Sequence, residues 1–233
     1  MERFKKWFDN FWYHYKWHTI IIIVFAVTFA IGFGQIAFEK NNYDVYALYA
    51  GPTYLEKIPH DEIVETFKKE AEKISGDTES EKDVNLQMLI YLTDDQIAAQ
   101  KEYVESQGET FVFDYLENNN VFDTFMKQLV SGENVIMFLD PMLYETAEKN
   151  EALYKIKDIL GRDVPGLTDS GMGVRLAESG LEEKYPCLSA LPDDCVVCFR
   201  KVTHAMKLIG KSESQDSHKF QLDLARELFS GIE

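Results

Sequence analysis

Phe125-Met-Lys-Gln-Leu-Val-Ser-Gly-Glu-Asn-Val-Ile-Met-Phe-Leu-Asp-Pro141 is the stretch whose reading decides the fold. Phe125, Met126 and Leu129 fall on one side of a helix over residues 121–130, which Gly132 closes. Asn134 to Leu139 is then a continuous apolar run, as expected of a central strand covered on both faces. Asp140-Pro141 follows, an N-cap with proline at the first helical position, so a second helix begins at once. A helix, a buried strand and a new helix in one short stretch is the grammar of an α/β domain.

The same alternation extends in both directions. Asp44-Val-Tyr-Ala-Leu-Tyr-Ala50 is rich in strand formers and stops at Gly51-Pro52. Ile63, Phe67, Ala71 and Ile74 repeat at helical spacing over Asp61 to Ser75, before Gly76. Val84 to Leu92 alternates as a half-buried strand. Thr93 and Gln96 form a capping-box pattern for a helix reaching Gln107. Phe111 to Leu116 reads as a short strand and Asn118-Asn119-Asn120 as a loop and cap. Farther on, Leu153, Ile156 and Leu160 mark a helix, Gly173-Val-Arg-Leu176 and Cys195-Val-Val-Cys-Phe199 are strands, and a last helix spans Ser217 to Ser230. The expected fold class is therefore α/β, with a mostly parallel or mixed sheet and helices on both faces.

The N-terminus is of another kind. Thr19 to Phe38 contains no charged residue. Twenty residues at about 1.5 Å each cover about 30 Å, the thickness of a bilayer's hydrocarbon core. Trp7, Trp12, Tyr13, Tyr15 and Trp17 precede it, as aromatic rings do at the headgroup level. Arg3, Lys5, Lys6 and Lys16 also lie before it, so the basic bias places the N-terminus in the cytoplasm and the rest outside. The expected organisation is a basic, aromatic cytoplasmic leader over residues 1–18, a transmembrane helix over 19–38 in contact with the lipid bilayer, and an extracytoplasmic α/β domain over 39–233. Gly32-Phe33-Gly34 is a weak signal-peptidase pattern, but the apolar run continues past it, which favours a retained anchor. A lipoprotein anchor needs a cysteine just after the run, and the first is Cys187. Asn41-Asn42 leaves a very short linker to the domain.

Of the 24 basic and 40 acidic side chains, four and two fall within residues 1–38, which leaves the remainder with 20 and 38, a formal net of −18. Such a domain repels nucleic-acid phosphates and anionic headgroups, so no nucleic-acid partner is expected.

Chemistry-bearing motifs are sparse. G-x-S-x-G, H-E-x-x-H, the P-loop and G-x-G-x-x-G do not occur. Cys195-Val-Val-Cys198 has redox spacing, but residues three apart in a strand face opposite ways, so two core cysteines are expected. Cys187 has one alternative, a disulfide with either of them across the Pro192 turn. Cys187, Cys195, Cys198 and His204 match no zinc spacing. The acidic run from Asp77 lacks the glycine and glutamate of a calcium loop, carrying Lys82 and Met88 at those places. His60 beside Asp61 reads as part of a helix start. No catalytic residue, cofactor or metal site is expected, and the chain is read as a non-enzyme. In open α/β sheets ligands bind beyond the carboxyl ends of strands. The residues there, Tyr49, Tyr54, Asp94, Asp140 and Tyr144, are the candidate ligand-binding set.

Phe11-Trp-Tyr-His-Tyr-Lys-Trp-His-Thr19 resembles the start of uncharacterised single-pass membrane proteins of Gram-positive anaerobes. Val45-Tyr-Ala-Leu-Tyr-Ala-Gly-Pro52, Phe125 to Pro141 and Gly173-Val-Arg-Leu176 are similar to pieces of the type 2 extracytoplasmic solute-binding fold. The resemblance implies a two-lobed α/β module. This chain is shorter than most such receptors, which implies a reduced second lobe, and no ligand motif carries over. The function expected is a membrane-anchored extracytoplasmic non-catalytic module binding a small solute, peptide or envelope partner. The alternatives are an accessory subunit of a membrane complex and an envelope enzyme.

Overall fold

The computed structural model describes residues 43–76, 81–131, 133–202 and 216–232, with isolated positions between Lys5 and Thr28 and Lys207. They fall into two units, Met1–Asn42 and Tyr43–Glu233.

In the second unit β1 (Val45–Gly51), α1 (Lys57–Ser75), β2 (Val84–Ile90), α2 (Asp94–Ser106), α3 (Tyr115–Ser131), β3 (Ile136–Leu139) and α4 (Pro141–Lys149) follow in order. Then come α5 (Ile156–Leu160), β4 (Gly173–Arg175), the short α6 (Leu181–Lys184), β5 (Val196–Phe199) and α7 (Asp216–Leu228). The described strands form one five-stranded sheet in the order β2-β1-β3-β5-β4. β1 pairs in parallel with β2 and β3, while β5 is antiparallel to both β3 and β4. The sheet is thus mixed, within an α/β architecture.

Strand periodicity divides the core into two layers. Val45, Ala47, Tyr49, Ile136, Phe138, Val197 and Phe199 face one way and pack with Ile63 and Phe67 of α1, Ile156 of α5 and Leu224 and Leu228 of α7. Leu48, Ala50, Met137, Leu139, Val196 and Cys198 face the other way, against Phe125 and Leu129 of α3 and Leu143 and Ala147 of α4. Helices therefore cover both faces, and all four residues of β3 are buried, as its unbroken apolar run requires. Cys195 and Cys198 lie in opposite layers, and all three cysteines are free thiols. Burial pushes the thiols of Cys195 and Cys198 up, which keeps them protonated and inert.

Two elements differ from the sequence reading. α1 begins at Lys57 rather than Asp61, because Pro59 sits in the first turn, where a missing N–H costs no hydrogen bond. It ends at Gly76, whose φ of 64° is the left-handed conformation expected of a helix stop. Residues 111–114 form no strand, and α3 begins at Tyr115. Asp114 replaces the asparagines as the cap: its Oδ1 accepts from the Glu117 amide at 2.9 Å.

Positions 11–28 are helical wherever they are described, and Ile21, Ile22, Val24, Phe25 and Val27 expose their side chains. Most of the expected span from Thr19 to Phe38 lies outside the described residues. Among the described residues, no helix is long and apolar enough to cross a membrane.

Candidate functional site

β1 lies between β2 and β3, and the connections from β1 and β2 pass over opposite faces of the sheet: α1 packs in one layer and α3 in the other. The strand order therefore reverses at the carboxyl ends of β1 and β3, where open α/β sheets form their crevice. The Asp140 amide donates to the Ala50 carbonyl at 2.8 Å, which joins the two strand ends.

Three of the five candidate side chains at this edge are engaged inside the fold. Tyr49 is 1% exposed, and its hydroxyl accepts from the Thr53 amide at 3.0 Å, which folds the turn after β1 back onto the strand. Burial is the main cause that pushes its phenol up to about 12. Asp140 is buried. Its Oδ1 accepts from the Met142 amide at 2.9 Å as the cap of α4, and its Oδ2 accepts from Gln96 Nε2 at 3.0 Å. Tyr144 is buried in α4, with its hydroxyl 2.8 Å from both Thr168 Oγ1 and Ser170 Oγ. Burial raises its phenol, and those two hydrogen bonds oppose the shift. Asp94 opens α2 and is exposed, while Tyr54 is 69% exposed on the loop before α1. The five residues therefore share one edge, but the structure brings no two of them into a direct hydrogen bond.

Residues that sequence reasoning did not nominate hold this edge together. Asn118 clasps the strand exit: its Oδ1 accepts from the Leu92 amide at 3.0 Å and its Nδ2 donates to the Leu92 carbonyl at 2.9 Å. Gln96 completes a capping box with Thr93, accepting from the Thr93 amide at 2.9 Å, and spends its amide nitrogen on Asp140. The capping pattern was a legible signal for Gln96. Nothing local signalled Asn118, which follows its partner by 26 residues.

The clasp turns residues 93–117 into an excursion whose two ends meet at the carboxyl edge of β2. Ile97 is the buried residue of α2; the rest of that helix stands at or near the surface. Beyond it, the Phe111 and Phe113 rings lie parallel with centroids 6.1 Å apart, and Tyr115 meets Phe113 edge-on at 5.0 Å. Val112 is 87% exposed, Leu116 72% and Tyr115 57%. Among the described residues no group of three or more His, Cys, Asp and Glu side chains is arranged to hold a metal ion.

No family model matches the chain, and no curated protein or solved structure shows significant similarity to it.

Proposed function

We propose that this chain is a membrane-anchored, extracytoplasmic binding module whose folded domain docks a protein or peptide partner of the cell envelope. One observation carries the reading: three exposed apolar side chains, Val112, Tyr115 and Leu116, fall within one short stretch of the excursion that leaves the carboxyl edge of β2. Scattered surface apolar residues are ordinary, whereas a contiguous rimmed cluster marks an interaction surface. The polar atoms of Tyr49, Asp140 and Tyr144 are occupied by internal hydrogen bonds, so recognition through this outer cluster draws more support than a polar crevice for a small solute. The uncharged run Thr19–Phe38 and the basic residues before it support the anchor and its orientation. The resemblance to extracytoplasmic solute-binding modules supports the same location. A second reading, an accessory subunit of a membrane complex, is supported by the sequence, which leaves only Asn41-Asn42 as linker between the expected span and the domain.

The test uses the full chain in its membrane. It should resist alkaline carbonate extraction, and protease added to protoplasts should digest its C-terminal domain. A photo-crosslinking residue at Leu116 should form a discrete adduct that the same group at exposed Lys149 does not. Release by carbonate, a protected domain, or identical behaviour at both positions would each defeat the reading.

A further inference from the structure

We propose that the excursion from Thr93 to Glu117 is a docking arm for a cationic segment of a partner protein, one that carries apolar side chains alongside its lysines and arginines. This inference rests on the binding-module reading above and adds the chemistry of the partner.

Three features of the arm point to that chemistry. The first is apolar: Val112, Tyr115 and Leu116 are exposed, and Tyr115 meets edge-on the Phe113 ring that stacks with Phe111. The second is charge. Glu102, Glu105, Glu109, Asp114, Glu117 and Asp123 lie between Lys101 and Lys127 with no basic residue among them, and all six are exposed. The arm's own lysine, Lys101, reaches only Glu105, at 4.0 Å. Exposed apolar side chains in a segment whose carboxylates outnumber its lysines complement a surface of opposite sign that carries its own apolar side chains. The third is the main chain. Residues 111–114 belong to no helix or strand, and within the described residues the amides of Phe111, Val112 and Phe113 make no hydrogen bond. They are open to an incoming extended chain. An anionic lipid surface fits worse, since the same carboxylates repel it.

The two terms act differently. Carboxylates steer encounter and are screened by salt, while the apolar strip holds the complex once formed. A partner bound by charge alone would ignore the strip, and one bound by the strip alone would ignore salt.

The experiment places the full chain in detergent micelles and measures binding of three synthetic peptides. One alternates lysine with leucine, one replaces its leucines by serine, and one replaces its lysines by glutamate. The lysine–leucine peptide should bind at least about tenfold more tightly than either of the others, and weaken about tenfold between low and physiological salt. Val112→Ser with Leu116→Ser should weaken it about tenfold. Glu109→Lys with Glu117→Lys should do so independently, and all four changes lie at exposed positions, so the melting temperature should hold. Equal binding of the lysine–serine peptide, or indifference to either pair of substitutions, overturns the proposal. So does binding of neutral or anionic lipid vesicles, or concentration-dependent self-association, that the Val112 and Leu116 substitutions abolish. If the Leu116 crosslink forms in cells but the lysine–leucine peptide does not bind, the partner chemistry is wrong and the binding module stands. If neither occurs, both fall.

Discussion

Gly173 begins β4 where Val196 of β5 and Tyr144 of α4 converge. A methyl group built on it would meet Val196 Cγ1 at 2.5 Å and Tyr144 Cε2 at 2.6 Å. Both neighbours are buried, so neither has free space to retreat into. Overpacking of this kind costs about 1–3 kcal/mol. Gly173→Ala should therefore lower the melting temperature of the full chain by several degrees; an unchanged value would show that the strand relaxes freely. The same contact explains why Tyr144 is a structural residue. Its ring backs the close approach of β4, and its hydroxyl holds Thr168 and Ser170 of the loop that leads into that strand. Its position just after a strand end was legible in sequence. Its partners were not, since Thr168 is 24 residues farther along the chain.

Among the elements, α2 is the least supported by packing and the most dependent on its cap. Gln96 donates its amide to Thr93 Oγ1 at 3.3 Å, while the Gln96 side chain returns the bond to the Thr93 amide. Thr93→Ala removes the hydroxyl acceptor, at a cost of about 1 kcal/mol. Because α2 buries Ile97 and little else, that cost should appear as local fraying. Hydrogen exchange should quicken at residues 94–97 while the amides of β3 keep their protection. Uniform acceleration across the domain would contradict this. The capping box was readable because all its atoms lie within one turn. The segment after α2 was misread as a strand because Phe111, Val112, Phe113 and Tyr115 are strand-forming residue types. A strand also needs a partner, and no strand of the described sheet pairs with it. The stop is set by Asp114, which caps the next helix, and that choice among several Asp and Asn candidates depends on where Asn118 is drawn, namely to Leu92.

At the scale of the whole molecule, burial leaves the domain sensitive to alkali. The thiols of Cys195 and Cys198 are raised from an ordinary value of 9.0, and the Tyr49 phenol from 10.0 to about 12. In each case the fold favours the protonated form and the unfolded chain ionises first. Their stabilising contribution is complete below the unfolded values and is lost as pH climbs through 9.0 and then 10.0 toward the folded ones. Arg200 works in the opposite sense. Burial lowers it from 12.5, yet a guanidinium keeps its proton through the range in which the thiols ionise. Between pH 9 and 10 the thiols lose this contribution, and Lys184, which burial lowers from 10.5, works against them. Denaturant midpoints should fall as pH rises from 9 to 10, and Cys195→Ala with Cys198→Ala should flatten that part of the curve. A midpoint independent of pH over that interval would show that the thiols do not ionise on unfolding.

The sequence by itself determined the α/β class, the buried central strand, the capped starts of α2 and α4, the opposed cysteines and the acidic balance of the domain. Each of these depends on residue type and on spacing within a strand or one helical turn, which backbone geometry enforces wherever the segment lies. The tertiary structure alone decided which polar atoms at the sheet edge are occupied and which surface is left over. Gln96 reaches Asp140 across 44 residues and Asn118 reaches Leu92 across 26, and these bonds form only after the sheet has brought the strand ends together. The surface that remains for a partner is fixed by what those long-range bonds have already consumed.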